Sequence, residues 1–457
     1  MRSLMQALSY KEHYRKTLAL SLPVCVSNLG HILVGMVDTL MVGKIDPSFA
    51  GYDGTEAQAA VALANSLYIL VLVFGIGISY GMTPIVAAAD STGDNVTKAN
   101  ALKNAFYINL GINALLFILL FFASPLLYYL DQSPKVAELA VPFLNVMMLG
   151  MIPLSVFFTF KQFAEGLSLT MVTMVVSLVG NGLNILFNWV LIFGHWGFEP
   201  MGLQGSCWAS FISRVIMALM MFGYVYYQPR FRVYWQEMKK IRLSTAMGRK
   251  IFGIGLSTGM QWVFEVGAFS VAVLFMGWIG EDEQAAHQIA LSLAAFTYMF
   301  ASGLSAATSV RVGNQVGMKN LQEARRAGFS GFHIVSAFML FFALLFLTLN
   351  EFLSRQFSVN PKVVELSSVL LLIAAVFQLF DGLQVVALGA LRGMEDTRTP
   401  TSITLIAYWV VGLPACYLLA FPFGLGPAGI WYGLSLGLAV AAVLLLLRFN
   451  HITRGIK

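Results

Sequence analysis

Apolar residues recur along this chain in long unbroken runs, and polar residues collect in the gaps between them. Runs of about 20 apolar residues are long enough to cross a bilayer as a helix, at roughly 1.5 Å per residue. The chain holds twelve, near 17–42, 59–88, 104–130, 139–164, 171–194, 203–227, 249–278, 285–310, 328–349, 364–391, 400–421 and 428–448. Pro414, Pro422 and Pro427 crowd the turn between the last two. The pattern predicts an all-α integral membrane protein with twelve transmembrane helices.

The runs also repeat. QAAVALANSL…FGIGIS (58–79) returns as QAAHQIALSL…FASGLS (284–305) at a constant offset, with Gln58/Gln284, Ser66/Ser292, Phe74/Phe300 and Gly77/Gly303 among the identities. Gly202-x-x-Gly205 is echoed by Gly426-x-x-Gly429. Six spans per half return the chain to its starting side, so the halves insert in one orientation, related by a pseudo-two-fold axis along the membrane normal. The expected organisation is an N-terminal six-helix lobe (1–228), a cytoplasmic linker (229–248) and a C-terminal six-helix lobe (249–457). The linker carries Arg230, Arg232, Lys239, Lys240 and Arg242 against Glu237 alone. Such a segment reads either as an amphipathic helix on anionic headgroups or as a plain solvated loop.

Composition agrees. Of 457 residues 58% are hydrophobic and only 11% charged, where soluble domains carry about 25% charge. The net charge of +6 lies mostly in loops, so the membrane accounts for it and nucleic acid is not implied. If both termini are cytoplasmic, every basic residue except Lys44, Lys135, Arg214, Arg355 and Lys362 falls in or beside a cytoplasmic segment, a strong positive-inside signal. The expected location is a cell membrane, in a bacterium the inner one. Cys25, Cys207 and Cys416 show no metal-ligand or disulfide spacing. The opening MRSLMQALSYKEHYRK lacks the apolar core of a secretory leader.

Against this background three acids stand out within apolar runs: Asp38, Glu265 and Asp381. A carboxylate at mid-bilayer costs roughly 2.5–3.5 kcal/mol on insertion scales, which makes its presence informative. Thr258, Gln261 and Glu265 follow at spacings of three and four, and Gln378, Asp381 and Gln384 at threes, placing two polar stripes in the same half. In the first half Asp38 shares a face with His31 and Ser27, and Asn181, Asn184 and Asn188 form a further stripe. Such stripes either bind a proton or a cation, or brace helices by hydrogen bonds. The only base clearly inside a span is Arg214, so the acids are in excess and a cationic cargo is expected. Phe264, Phe377, Phe380 and Met260 flank the second-half acids, either to stack on a flat organic cation or to pack.

The chain has no GxxxxGK[ST] phosphate loop and no HExxH, GxSxG or CxxC. What remains is a non-enzymatic transporter driven by an ion gradient, with no cofactor beyond that ion.

At this level of detail the chain resembles the NorM-type branch of the multidrug and toxic compound extrusion (MATE) family. The resemblance is carried by VDTLMVG (37–43), FAEGLSLT (163–170), NGLNILFNWVLIFG (181–194), AAHQIAL (285–291), SVRVGNQVG (309–317) and QVVALGALRG (384–393). It implies two six-helix lobes around a central cavity open alternately to either side, exchanging organic cations for Na+ or H+. The family's first-span acid falls on Asp38 with Asn184 and Asn188 beside it, and its second-lobe acids fall on Glu265 and Asp381. Gln261, Gln378, Gln384, Phe264 and Phe377 complete the expected site. Phe377 departs from the tyrosine of some NorM-type members, which leaves both coupling ions open. A monomer suffices, since both lobes lie in one chain. Two other readings stand: a lipid-linked oligosaccharide flippase, whose cavity would be basic, and a non-transporting scaffold whose acids only brace helices.

Overall fold

Lipid offers no hydrogen bonds, so a spanning segment must satisfy its own backbone, which a helix does. The computed structural model describes residues 9–129 and 133–454, and no strand occurs among them. The remaining residues, including parts of both termini used in the orientation argument and residue 130 of the third expected run, lie outside the described residues.

All twelve expected spans are present as helices. They are α1 (Tyr10–Val42), α2 (Gly54–Thr92), α3 (Asn95–Tyr129), α4 (Pro134–Gly166), α5 (Thr170–Phe193), α6 (Leu203–Tyr227), α7 (Thr245–Ile279), α8 (Glu281–Gly317), α9 (Leu321–Arg355), α10 (Pro361–Gly393), α11 (Arg398–Ala420) and α12 (Gly426–Arg454). Between α6 and α7 the linker folds into a helix over Arg232–Lys240.

Local chemistry sets several helix starts. Asp53 accepts from the Glu56 amide and Glu56 reaches back to Asp53, a reciprocal capping box opening α2. Asp94 caps α3 through Thr97, and Asn320 caps α9 through Glu323. The Gly-x-x-Gly echo is a backbone repeat. Gly202 and Gly426 both take positive φ, 56° and 55°, immediately before or at the start of α6 and α12. At Gly205 and Gly429 a Cβ would lie 2.6 Å from backbone of the preceding helix, at Leu191 and Leu419 respectively. Only glycine permits that approach.

By packing, the chain separates into two compact units. One comprises the residues up to Asn28, Ala87–Thr92 and the chain from Met260 onward; the other comprises Leu29–Val86 and Gly93–Gly259. These boundaries fall inside α1, α2 and α7, whereas the expected lobes were divided at loops. Hydropathy registers where a helix leaves the membrane, not where its neighbours change.

In the unit holding most of the second half, α10 is the central helix, packed on α8, α9 and α12. Gly389 and Gly393 let it ride against the backbone of Ser305 and Ser309 on α8. α11 widens to π-helical winding over Ile406–Gly412, just ahead of Pro414; such bulges recur at functional sites. In the other unit α5 pairs with α6, and α4 packs on α2, α3 and α6. The linker helix lies against α3, where the Lys103 ammonium donates to the carbonyls of Met238 (2.9 Å) and Ile241 (2.7 Å).

Candidate functional site

The second-half acids converge. Glu265 on α7 and Asp381 on α10 are 6% and 3% exposed and close enough to interact electrostatically. Gln384, one turn beyond Asp381, donates its amide to the Glu265 carboxylate (3.3 Å) and lies beside Asp381 as well. From the π-helical stretch of α11 the Tyr408 hydroxyl is directed at the Glu265 carboxylate. Asp381 Oδ1 and Gln384 Oε1 are buried with no hydrogen-bond partner among the described residues. Among the described residues no basic side chain acts on either carboxylate. Buried polar groups are ordinarily paired, and two buried carboxylates with oxygens of this kind beside them have the chemistry to take up a proton or a small cation.

The other second-half candidates turn elsewhere. Gln261 donates to the Thr397 carbonyl (3.3 Å) and the Thr401 hydroxyl (3.0 Å), tying α7 to the start of α11. Gln378 points to α9, where it donates to the Met339 carbonyl (3.5 Å). The stripe read from its spacing of threes is therefore not one face. At 3.6 residues per turn each step of three slips about 60°, so Gln378 and Gln384 diverge by roughly 120°. Phe377 is buried between Phe269 and Trp431, ring centroids 6.1 and 5.2 Å away, leaving no open face for stacking. Phe264 is half-buried, and its carbonyl accepts from the Trp409 indole (3.0 Å).

In the other unit Asp38 on α1 receives a hydrogen bond from the Asn188 amide of α5. Asn188 also donates to Asn184 (3.1 Å), and Asn184 donates to the hydroxyls of Ser210 (3.3 Å) and Ser213 (3.4 Å) on α6. Asn181 lies beside His31. Arg214 acts electrostatically on Asp38 while its guanidinium donates to the Tyr68 hydroxyl (2.8 Å) and the Met147 carbonyl (3.3 Å).

The structure adds two buried bases to the charge inventory read from the sequence. Lys161, placed there at the cytoplasmic end of a span, is buried within α4 and pairs with Glu165 one turn on (3.8 Å), which also accepts from Thr173 (3.3 Å). Arg311 is likewise buried in α8, donating to the His13 carbonyl (2.6 Å), the Thr17 hydroxyl (2.8 Å) and His13 Nδ1 (2.9 Å). His13 Nε2 in turn meets Glu323 (3.0 Å). Because Arg311 holds Nδ1 as an acceptor, His13 is the neutral tautomer donating from Nε2. Arg214 is thus not alone, but each added base has a partner, whereas Glu265 and Asp381 have no basic partner among the described residues. The i,i+4 Lys–Glu spacing in KQFAE was the signal that could have revealed the first pair. Tyr408, in an otherwise apolar segment, had no such signal.

A family profile described as MatE matches residues 23–190 and 252–418, one copy in each repeated half. Among curated proteins, the chain is 34% identical over 438 residues to the probable multidrug resistance protein NorM of Pseudomonas putida, covering 95% of this chain and 93% of that protein. It is 32% identical over 454 residues to the multidrug resistance protein NorM of Photobacterium profundum, covering 97% and 96%. Among solved structures, the eukaryotic MATE transporter AtDTX14 aligns with a TM-score of 0.85 at 19% identity over 98% of both chains. An outward-facing multidrug resistance MATE family transporter aligns with a TM-score of 0.86 at 17% identity, covering 97% of this chain and 96% of that one. At these identities the structural likeness is one of fold.

Proposed function

The chain belongs to the MATE family of membrane transporters, and from that premise we propose that it is a multidrug exporter exchanging organic cations for Na+ or H+. The observation that carries this reading is the Glu265–Asp381 pair, two buried carboxylates with unpartnered oxygens beside them and no basic partner among the described residues. In this reading the pair takes up the coupling ion. An oxygen-only set of carboxylates, an amide carbonyl and a hydroxyl suits a hard cation, and the same carboxylates accept a proton. Tyr408 supplies from α11 the hydroxyl that Phe377 lacks.

Exchange follows from linkage. If drug and ion binding are antagonistic, each lowers the other's affinity by the same factor, and only a loaded carrier crosses readily because an empty site leaves buried charge unpaired. Alternating access then moves the ion inward and the drug outward. Asp38, with Asn184 and Asn188, contributes a second polar site on the drug side of the cycle. The protein acts as a monomer in a bacterial inner membrane with both termini cytoplasmic, as the distribution of basic residues favours.

The test is export of a fluorescent organic cation from proteoliposomes under an imposed Na+ or H+ gradient. The reading expects one gradient to drive export and both Glu265→Gln and Asp381→Asn to abolish it while the protein remains folded. Undiminished export by both variants rules it out.

A further inference from the structure

A groove of about 600 Å3 opens on the outside of one compact unit, between the first turns of α7 and the first half of α3. Its two ends differ in chemistry. Ser244, Thr245 and Arg249 line one end, at the foot of the basic linker; Ile108, Ile112 and Phe252 line the other. No acidic residue lines it. Arg249 is exposed, and among the described residues its guanidinium has no hydrogen-bond or ion-pair partner. Along α3 the groove runs from Asn104 to Ile112, a rise of roughly 12 Å at 1.5 Å per residue.

Two glycines in the lining leave the groove open. Nothing lies within 4 Å of where a Cβ would stand at Gly111, and at Gly248 the nearest atom is 3.5 Å away. The Lys103 ammonium, bonded to the end of the linker helix, fixes the chain that leads into Leu243 and Ser244 above it. A free guanidinium and two hydroxyls above an apolar slot match a phosphate headgroup with acyl chain below it. Of the basic residues in the linker leading to it, Arg242 and Lys239 are exposed and Lys240 is paired with Glu237 (2.8 Å), which leaves this segment a net positive charge.

We infer that this α3–α7 groove is a binding site for an anionic phospholipid, its phosphate on Arg249, Ser244 and Thr245 and its acyl chain along Ile108, Ile112 and Phe252. The site is separate from the carboxylates and stands or falls independently of the coupling ion.

The full chain, purified in detergent and titrated with phosphatidylglycerol or phosphatidylcholine of matched acyl chains, is to be followed by native mass spectrometry. The expected wild-type result is an approximately fivefold preference for phosphatidylglycerol, the scale of one basic contact. Arg249→Gln is expected to erase the preference while leaving phosphatidylcholine retention unchanged. Gly111→Leu is expected to lower retention of both lipids by filling the slot. A wild type that retains both lipids equally, or an Arg249→Gln protein that keeps the full preference, overturns the inference. Should Gly111→Leu fold poorly, Arg249→Gln alone decides, since its side chain is exposed and supports no packing.

Discussion

Asp38 and the Glu265–Asp381 pair sit on membrane-spanning helices of the two compact units, in surroundings that differ in kind. Asp38 accepts from Asn188, stands within the field of Arg214, and is backed by a relay of amides and hydroxyls through Asn184 to Ser210 and Ser213. Glu265 and Asp381 share one amide donor, Gln384, and have no cation in reach among the described residues. An acid whose partners are already in place resembles a structural joint. A buried pair with unpartnered oxygens carries a desolvation cost that a bound proton or cation relieves. In the proposed function, this difference is the reason for giving the coupling ion to the second-half pair and the drug side of the cycle to Asp38.

Substitutions at the pair should break that contrast most strongly. Glu265→Gln and Asp381→Asn are each expected to lower coupling-ion affinity by about 10–100-fold or more, the loss seen even for groups that only support a ligand, and to abolish export in liposomes. Next in size is the buried Lys161–Glu165 pair, which has counter-charges and so should behave as structure. Lys161→Ala should cost about 3–5 kcal/mol by stranding a buried carboxylate, whereas a Lys161→Met, Glu165→Leu double variant should be near neutral; thermal unfolding in detergent measures both.

Asn188→Ala removes the donor to Asp38 and should cost about 1 kcal/mol, within the range for hydrogen bonds inside membrane bundles. Export should slow but remain gradient-driven. If Asn188→Ala instead abolishes coupling as fully as Glu265→Gln, the two sites are not distinct in role.

The smallest effect belongs to an acid outside the spans. The hydroxyl and then the backbone of Thr97 donate to Asp94 and hold its carboxyl below the usual range. A depressed folded pKa means the cap stabilises above the ordinary carboxylate range, near pH 3.9, and the contribution is lost as pH falls through the folded value. Asp94→Ala should cost about 1 kcal/mol near neutral pH and nothing in strong acid, with ion coupling untouched. Circular-dichroism melts across pH provide the check.

Much of this was legible in the sequence, for identifiable reasons. Long apolar runs fixed the twelve spans because backbone desolvation leaves few options in lipid. The Gly-x-x-Gly echo was visible because both copies answer the same steric need, a positive φ followed by a helix contact too close for a Cβ. Glu265 and Asp381 were visible as charges out of place. Directions were not. Whether Gln378 faces Asp381 or α9 depends on helical drift and on which neighbour is nearer. Tyr408 reaches Glu265 from a π-helical turn that no residue pattern announces. Lys161 and Arg311 were read as lying in or beside cytoplasmic segments, and their burial went unseen because it depends on packing partners, Glu165 and His13, that a hydropathy window does not register. The division of α1 and α7 between units depends on distant packing and left no local mark.

The most direct measurement is displacement of bound coupling ion by drug in the purified protein. Loss of radioactive sodium and release of protons should be followed separately as an organic cation is added. The account predicts that drug displaces one of these ions from the wild type and from Asn188→Ala, and displaces none from Glu265→Gln or Asp381→Asn. Equal displacement from the wild type and both carboxylate variants would contradict it, placing the coupling ion elsewhere in the chain.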